Sequence, residues 1–446
     1  MRFDDTIFAL SSGQGKAAVA IVRVSGGSSR DVLESMIKMS FPPPRKATLR
    51  DILDPETGEK IDKAIVIWFP STDSYTGENM VEYHVHGGVA VISSLLESLG
   101  KIENVRPALA GEFSRRAFEY GKFDLTVAEG IADLVDAETD IQRRQALSQS
   151  SGSLGALYEG WRQRLLDLRA LVEVTIDFSD QELPDDIIEP VKPEISMIMS
   201  EMNKHLEDGH WGERLRRGIQ VVIAGPVNVG KSSLFNVLAD RQAAIVDAEA
   251  GTTRDIIEVH LDVNGWPLTI VDTAGLRDGE SEVEAEGIRR ARGKIKEADI
   301  RLIMLDGGSW PAIPEEIGEL INESAVLVLN KCDLLSSGTK INPILGREAL
   351  EISCKTGFGI EHLLETIKKR LGEQYSPSGS PIISRSRHRH ALQACIEALS
   401  RYDKCAGSEI GAEELRLAAD ALGKITGRID IENILDIIFQ DFCIGK

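Results

Sequence analysis

A glycine-rich segment near the middle of the chain has the residue types that hold phosphate groups. Gly225–Ser232 reads Gly-Pro-Val-Asn-Val-Gly-Lys-Ser and fits the pattern GxxxxGK[ST]. The apolar run Ile219–Ala224 precedes it and a helical pattern follows, which is the strand–loop–helix context that the pattern requires. Backbone amides of such a loop, and the start of its helix, bind phosphate oxygens. We expect Lys231 to reach the β- and γ-phosphates and the Ser232 hydroxyl to bind Mg²⁺.

Two further segments follow predicted strands in the order that a nucleotide-binding domain needs. Asp272–Gly275 (DTAG) comes after the predicted strand Leu268–Val271 and brings an acid near the metal and a glycine amide near the γ-phosphate. Asn330–Asp333 (NKCD) comes after the predicted strand Ala325–Leu329. The Asp333 carboxylate can accept hydrogen bonds from guanine N1–H and the 2-amino group, whereas adenine has an acceptor at N1. The base is therefore predicted to be guanine.

Two more segments complete the set. Ser353–Lys355 follows the predicted strand Leu350–Ile352 and fits the last loop that faces guanine. Gly251–Asp255 (GTTRD) lies between the phosphate loop and Asp272, and its Thr253 is expected to complete the Mg²⁺ shell. Together these elements predict a P-loop domain that binds and hydrolyses GTP with Mg²⁺.

The residue that orients the attacking water is not evident from these motifs. In the Ras-type arrangement a glutamine follows the DTAG glycine, but here that residue is Leu276, which cannot form a hydrogen bond through its side chain. Either hydrolysis is slow, or another residue and another positive charge take over. Glu284 is a candidate for orienting water, and a solvated acidic loop is the alternative. Arg254 and Arg277 are read as structural rather than as an arginine finger.

Composition limits the class of protein. The chain has 446 residues, enough for about three domains, and a formal net charge of −20. Such an acidic protein gains little from non-specific binding to nucleic acid, so RNA would need a local basic surface or a partner protein. Lys101–Arg116 and Arg385–His390 are two basic candidates, for which a solvated face or a helix start is the favoured interpretation. Five scattered cysteines, no signal peptide and no membrane span predict a cytosolic protein.

The pattern of apolar residues positions the motifs on elements. Ala18–Val24 and Lys63–Phe69 are predicted strands near the amino terminus. Helical periodicity runs from about 122 to 213, and short buried strands then alternate with helices from about 217 to 371, as in a parallel α/β sheet. Gln374–Pro381 has the composition of a linker, and helical periodicity returns after it. We infer an α/β domain inserted into a helical domain.

Motifs along nearly the whole chain resemble those of the MnmE (or TrmE) family, the tRNA-modifying GTPases of bacteria and organelles. In the α/β domain these are Asn228, GTTRD, DTAGLR and the Glu-Val-Glu that ends at Glu284. Phe442–Lys446 (FCIGK) is the most diagnostic motif, because ordinary translational GTPases lack it. The remaining matching segments are Asp5–Ile7, Ile21–Gly26, Ser74–Glu78, His86–Gly88, Gly111–Ser114, Arg116–Phe118, Lys122–Leu125 and Ala128–Ala137.

The resemblance implies a mechanism for GTP hydrolysis. Family members use a potassium ion between paired G domains instead of an arginine finger, and Glu284 matches their water-orienting glutamate. The potassium ligands that it implies are Asn228, Asp247, Glu249 and Thr252. The residues expected to contact GTP are Asn228, Val229, Gly230, Lys231, Ser232, Ser233, Asp247, Ala248, Glu249, Ala250, Gly251, Thr252, Thr253, Asp272, Thr273, Ala274, Gly275, Asn330, Lys331, Asp333, Ser353, Cys354 and Lys355.

The resemblance also implies a folate site. The amino-terminal domain is expected to be an α+β, aminomethyltransferase-like domain that forms a homodimer and binds 5-formyl- or methylene-tetrahydrofolate. Arg23, Glu82, Lys122 and Lys446 match the residues that contact folate. A carboxylate suits the donors of a pteridine, and cations suit the glutamate tail. Cys443 is a candidate nucleophile or a residue that only packs there.

The implied reaction places a carboxymethylaminomethyl or aminomethyl group on C5 of the wobble uridine of certain tRNAs. It requires the FAD-dependent partner MnmG in a heterotetramer. The implied domains are a folate-binding and dimerisation domain at 1–118, a helical domain at 119–215 and 374–446, and a Ras-like G domain at 216–373. A ribosome-assembly GTPase and a folate-dependent aminomethyltransferase with a regulatory G domain are the alternatives. The end-to-end match favours the tRNA-modifying GTPase over both alternatives.

His84 and His86 could be read as a metal-binding pair. The predicted strand Val81–Val85 places both side chains on one face, but the sequence offers no third ligand nearby. We therefore expect both histidines to be hydrogen-bonded rather than metal-bound.

Overall fold

The computed structural model describes residues 5–445 except 14, 178–188, 209, 242–257, 273–292, 294–297, 311–317, 319–320, 323, 336–342, 344–346, 375–380, 403–408, 430–431, 441 and 443. Contacts between the described residues divide the chain into two compact units. The first contains residues 1–132, 149–196 and 391–446, and the second contains 133–148 and 197–390. The domain limits inferred from the sequence stay a prediction.

The first unit begins with a six-stranded mixed sheet in the order β3-β4-β5-β2-β1-β6. Neighbouring strands are antiparallel except β1 and β6, which are parallel. The predicted strands Ala18–Val24 and Lys63–Phe69 lie within β2 and β4, so both predictions are confirmed. In chain order the elements are β1 (Thr6–Leu10), β2 (Ala17–Ser25), α1 (Ser29–Met36), β3 (Thr48–Leu53), β4 (Lys60–Phe69), β5 (Met80–Gly87), α2 (Val89–Gly100), β6 (Val105–Pro107) and α3 (Glu112–Glu119).

One face of this sheet forms a core because its strands alternate between buried and exposed residues. In β2, Val22 and Val24 are fully buried, whereas Arg23 between them is only partly buried. The buried residues of β2, β4 and β5 join apolar residues of α1 and α2, such as Leu33 and Leu95, in one cluster. The opposite face therefore presents Arg23 and its neighbours on the adjacent strands.

The helical segments predicted between 122 and 213 are present. They are α4 (Leu125–Asp136), α5 (Asp140–Ser150), α6 (Ser153–Asp177), α7 (Val191–Leu206) and α8 (Trp211–Arg217).

The second unit contains a six-stranded sheet in the order β12-β11-β10-β7-β9-β8, parallel except for the β8–β9 hairpin. This is the α/β architecture that the sequence predicts. The strands are β7 (Ile219–Ala224), β8 (Glu258–Val263), β9 (Trp266–Asp272), β10 (Ile300–Asp306), β11 (Ala325–Asn330) and β12 (Ala349–Glu351), with helices α9 (Lys231–Arg241) and α10 (Ile360–Gln374). β12 begins and ends one residue before the predicted strand.

Three helices follow the second sheet along the chain: α11 (Ser386–Tyr402), α12 (Glu409–Thr426) and α13 (Glu432–Gln440). Within the first unit α12 packs along α6. Both helices bury one apolar stripe, with Leu165 and Val172 on α6 and Leu415 and Leu422 on α12. Residues 375–380 of the predicted linker lie outside the described residues. No helix in the described part of the chain is long and apolar enough to span a membrane.

Candidate functional site

The loop between β7 and α9 has the backbone of a phosphate cradle. Gly225 has φ +154° and Gly230 has φ +100°, conformations that favour glycine. A Cβ on Gly225 would lie 2.5 Å from the carbonyl oxygen of Met304. Asn228, in the middle of the loop, adopts the left-handed conformation with φ 62°. The helix begins at Lys231, so its first amide groups face the loop as an anion site requires.

Lys231 lies across this loop. Its Nζ donates hydrogen bonds to the carbonyl oxygens of Gly225 at 3.0 Å and Pro226 at 2.8 Å. Ser232 and Ser233 in the first turn of α9 are exposed, and Val229 anchors the loop because its side chain is buried. The lysine, the serine hydroxyl and the helix start therefore occupy the positions that a nucleotide with Mg²⁺ needs.

Asn330 connects the phosphate loop to the loop that is expected to face the base. It is buried at the end of β11, where its Nδ2 donates to the carbonyl oxygen of Val229 at 2.8 Å. Its Oδ1 accepts a hydrogen bond from the amide of Cys354 at 3.1 Å. Gly230 must be small here, since a Cβ would lie 2.4 Å from Asn330 Nδ2. One amide side chain thus fixes three segments that the sequence predicts to bind GTP.

The base loop is ordered by Ser353. Its Oγ donates a hydrogen bond to Asp333 Oδ1 at 2.6 Å, and its buried backbone bonds to Phe358 and Gly357. The Asp333 residue as a whole is exposed. Burial raises the pKa of Cys354 to about 11, so this thiol stays protonated and contributes through its backbone amide. Lys355 is exposed beside these residues.

Asp306, which was not predicted from the sequence, joins this group through the predicted residue Lys331. Lys331 has a left-handed backbone with φ 61°, and its Nζ donates to the carbonyl oxygen of Asn228 at 2.8 Å and to Asp306 Oδ2 at 2.7 Å. Asp306 ends β10 and faces Asn330 in the parallel register. One feature of the sequence could have identified Asp306: it is an acidic residue at the carboxyl end of a buried strand. Ligands of parallel sheets bind at the carboxyl ends of the strands.

Several predicted site residues lie outside the described residues: Asp247–Thr253, Thr273–Gly275, Glu284, Cys443 and Lys446. Asp272 is the last residue of β9, and its Cα is in register with Ile223 of β7, directly before the phosphate loop. Within the described residues, no three His, Cys, Asp or Glu side chains are grouped as metal ligands.

The face of the first sheet that contains Arg23 carries a second candidate site. Arg23 on β2 and Glu82 on β5 are register partners, and Arg23 Nη2 lies 2.9 Å from Glu82 Oε1. The guanidinium also lies 5.2 Å from the ring centre of Tyr75 and 5.6 Å from that of Phe113. Burial raises the pKa of Tyr75, whose hydroxyl is 2.7 Å from Ser114 Oγ. The group combines a carboxylate, a cation and aromatic rings in a half-buried setting.

Two further parts of the first unit lie by this region. Lys122 Nζ donates to the carbonyl oxygen of Thr72, in the loop that also contains Tyr75. The end of the chain reaches β1, because a Cβ on Gly445 would lie 2.2 Å from the carbonyl oxygen of Leu10. Gly445 has φ +101°, which favours glycine at this close approach.

The two histidines are hydrogen-bonded, as the sequence reading expects. His84 Nε2 lies 3.3 Å from Glu82 Oε2, and His86 Nδ1 lies 2.8 Å from Asp62 Oδ1. His84 therefore flanks the carboxylate that also pairs with Arg23.

Neither basic run forms a bare cationic surface. Arg385 and Arg389 are largely buried at the start of α11, where they pair with Asp133 and Asp208. In the other run Arg116 is fully buried and bonds to Asp5 and Glu112. The helix-start interpretation is confirmed for Arg385–His390. In the Lys101–Arg116 run, the charge of Arg116 is balanced by the carboxylates that it contacts.

Comparison with known proteins adds the family context. A model described as the MnmE helical domain matches residues 125–443, and one described as the GTP-binding protein TrmE N-terminus matches residues 6–122. The tRNA modification GTPase MnmE of Paramagnetospirillum magneticum is 48% identical over 442 residues, covering 99% of this chain and 100% of that protein. The mitochondrial 5-taurinomethyluridine-[tRNA] synthase subunit GTPB3 of Danio rerio is 46% identical, covering 99% of this chain and 93% of that protein.

Among solved structures, the G domain of the T. maritima FeoB iron transporter is similar to part of the chain. It is 26% identical with a TM-score of 0.26, covering 34% of this chain and 98% of that structure.

Proposed function

The chain belongs to the MnmE family of tRNA modification GTPases, and we propose that it is a potassium-activated GTPase that modifies tRNA together with an FAD-dependent MnmG partner. The proposed product carries a carboxymethylaminomethyl or aminomethyl group on C5 of the wobble uridine. Relatives of similar identity bear two names, tRNA modification GTPase and 5-taurinomethyluridine synthase subunit. The two names support a shared reaction on tRNA uridine in which the attached amine differs between proteins.

The observation that carries the GTPase proposal is the joined nucleotide site of the second unit. Asn330 links the phosphate loop to the base loop, and the Ser353 hydroxyl orients the Asp333 carboxylate. A carboxylate held in one orientation selects guanine, since guanine offers two adjacent donors. Ser232 and Thr253 would hold Mg²⁺, with Asp272 at the end of the neighbouring strand. Mg²⁺ neutralises charge that develops on the phosphates.

The same loop supports a potassium site. Asn228 is exposed and left-handed, and its carbonyl oxygen is held by Lys331, so its side chain is directed by a fixed backbone. Asn228, Asp247, Glu249 and Thr252 would hold the ion, whose charge takes the place of an arginine finger. Glu284 orients the attacking water.

The Arg23–Glu82 pair supports the folate proposal. A carboxylate can accept from the donors of a pteridine, and the ring of Tyr75 lies in the same half-buried region, next to Arg23. Bound tetrahydrofolate would supply the one-carbon unit. Lys122 and Lys446 would bind its glutamate tail, and Cys443 is a candidate nucleophile. His84 adds a hydrogen-bonding group next to Glu82.

Exposed apolar side chains on the first sheet also support a homodimer. Leu49 and Ile65 are register partners on β3 and β4, and both side chains are more than 40% exposed, as is Val19 on β2. Exposed apolar side chains on neighbouring strands suit a self-complementary interface. Two chains with two MnmG subunits would form a heterotetramer in the cytoplasm. Since this chain has a net charge of −20, MnmG would carry much of the tRNA contact. GTP hydrolysis would drive the conformational cycle.

Replacing KCl with NaCl at equal ionic strength tests the enzymatic proposal. Because the ion supplies the charge that an arginine finger otherwise provides, we expect GTP turnover to fall by at least about tenfold. Phosphate release at saturating GTP and Mg²⁺ measures the rate, with nucleotide affinity determined in both salts as the control. Equal turnover in the two salts would remove the potassium mechanism.

A further inference from the structure

The Asp306 side chain reaches the nucleotide-binding loops through Lys331. It lies at the end of β10, between β7 and β11 in the sheet order, and therefore at the edge where the phosphate loop and the base loop begin. Its Oδ2 is 2.7 Å from Lys331 Nζ. The same Nζ reaches the carbonyl oxygen of Asn228 in the phosphate loop at 2.8 Å. Lys331 thus bridges two loops, with Asp306 as its anionic partner.

The carboxylate is itself fixed. Its Oδ1 accepts a hydrogen bond from the amide of Gly308 at 2.8 Å, which leaves Oδ2 directed at the lysine. Both side chains are partly shielded, with 27% of Asp306 and 34% of Lys331 exposed. Burial alone would raise the pKa of Asp306, but the hydrogen bonds from Lys331 and Gly308 outweigh it and lower the pKa. The carboxylate therefore stays ionised at neutral pH and retains its full attraction for the ammonium group.

We propose that Asp306 is a positioning residue for guanine nucleotide binding, acting by holding Lys331 between the phosphate loop and the base loop. A lysine side chain has many rotamers, and fixing one costs conformational entropy that a ligand would otherwise have to supply. Asp306 fixes Lys331 in advance, so the two loops already have the spacing that a bound guanine nucleotide spans. The inference rests on the proposed GTPase function and adds a residue to it.

The expected effect is on affinity rather than on the chemical step. Asp306→Asn keeps the shape and the Gly308 bond but removes the charge, so Lys331 loses its ionic partner. We expect GDP to dissociate roughly tenfold faster, the size of effect that one charge-assisted hydrogen bond can produce. The GTP turnover number at saturating GTP should stay within about twofold, because bound GTP then holds the phosphate loop, including Asn228, in place of Lys331.

Stopped-flow dissociation of a fluorescent GDP measures this directly. The variants are Asp306→Asn, Asp306→Glu, Lys331→Met and the double Asp306→Asn/Lys331→Met. Asp306→Glu keeps the charge and should recover part of the wild-type rate. If Asp306 acts through Lys331, the double variant dissociates no faster than Lys331→Met alone. Glu373→Gln, which removes an exposed ion pair with Lys369 on α10 of the same unit, should match the wild type.

Two results would overturn the inference: a wild-type dissociation rate for Asp306→Asn, or independent, additive effects of the two substitutions. Should Asp306→Asn prove poorly folded, a wild-type dissociation rate for Lys331→Met together with normal melting would do the same, since the inference requires Lys331 to hold the two loops. Failure of the wild-type protein to bind fluorescent GDP would instead contradict the proposed GTPase function, so the two failures are distinguishable.

Discussion

The proposed selection of guanine depends on one carboxylate, that of Asp333. Ser353 holds one of its oxygens, and the Asp333 side chain is exposed. Asp333→Asn replaces an acceptor with an amide that presents a donor, which suits a base with an oxygen at position 2. We expect the preference to move from GTP towards xanthosine triphosphate by at least about a hundredfold in relative affinity, since unpaired polar groups are strongly rejected. Competition binding measures it, and an unchanged preference would contradict the assignment.

Gly230 tests the packing of the phosphate loop. A methyl group there would lie 2.4 Å from Asn330 Nδ2, and φ +100° is strained for alanine. Gly230→Ala should therefore displace Asn330 and raise the GDP dissociation constant by about tenfold or more. Gly372→Ala in α10 is the matched control, because a Cβ there meets nothing within 4 Å. Unchanged GDP binding by Gly230→Ala in titration calorimetry would mean that the loop does not need this close approach.

Individual residues of the site differ in how well the sequence predicts them. Lys231, Asn330 and Asp333 follow strands in short motifs, so local spacing is sufficient to place them. Asp306 was missed, because its role depends on β10 lying between β7 and β11, an order that local sequence does not give. Arg116 looked like part of an exposed basic run, but its partners Asp5, Glu78 and Glu112 come from distant positions and bury it.

Asp133 on α4 accepts hydrogen bonds from two arginines that lie far apart in sequence and belong to different segments of the chain. Its Oδ1 accepts from Arg216 Nε on α8 at 3.1 Å and from Arg385 Nη2 before α11 at 2.8 Å. Only 13% of Asp133 and 15% of Arg385 are exposed. Arg216 precedes the first strand of the second sheet in the chain, and Arg385 follows its last strand. The Asp133 carboxylate therefore joins these two chain segments within one unit.

Asp133→Ala should destabilise this unit by about 2 kcal/mol, because it removes a shielded partner from two cations. Denaturant unfolding followed by tryptophan fluorescence measures the loss. Asp140→Ala is the control, since Asp140 also binds two arginines but is 46% exposed, and such surface pairs contribute at most about 1 kcal/mol. Equal losses for the two variants would argue against a structural role for Asp133.

The elements themselves were largely predictable, for physical reasons. Buried parallel strands read as short apolar runs, and β7 and β11 were found with nearly the right limits. The grouping of side chains around Arg23 on the first sheet was not predictable from local sequence, because strand pairing decides which residues become neighbours. Arg23 and Glu82 are 59 residues apart in sequence and meet only through the β2–β5 register.

The whole molecule has a candidate guanine nucleotide site in one unit and a candidate folate site in the other. The net charge of −20 disfavours non-specific binding of nucleic acid by this chain. Full-length identity of 48% to a tRNA modification GTPase makes wobble uridine the central claim to test.

Mass spectrometry of tRNA nucleosides from cells that lack this protein tests the role in wobble uridine modification. We expect carboxymethylaminomethyl- or aminomethyl-type wobble uridines to disappear and to return when the intact chain is supplied. Asp333→Asn should fail to restore them at normal GTP levels, because nucleotide binding is required. An unchanged nucleoside profile, in cells without a second copy of the gene, would contradict the modification role and leave a GTPase with a different target.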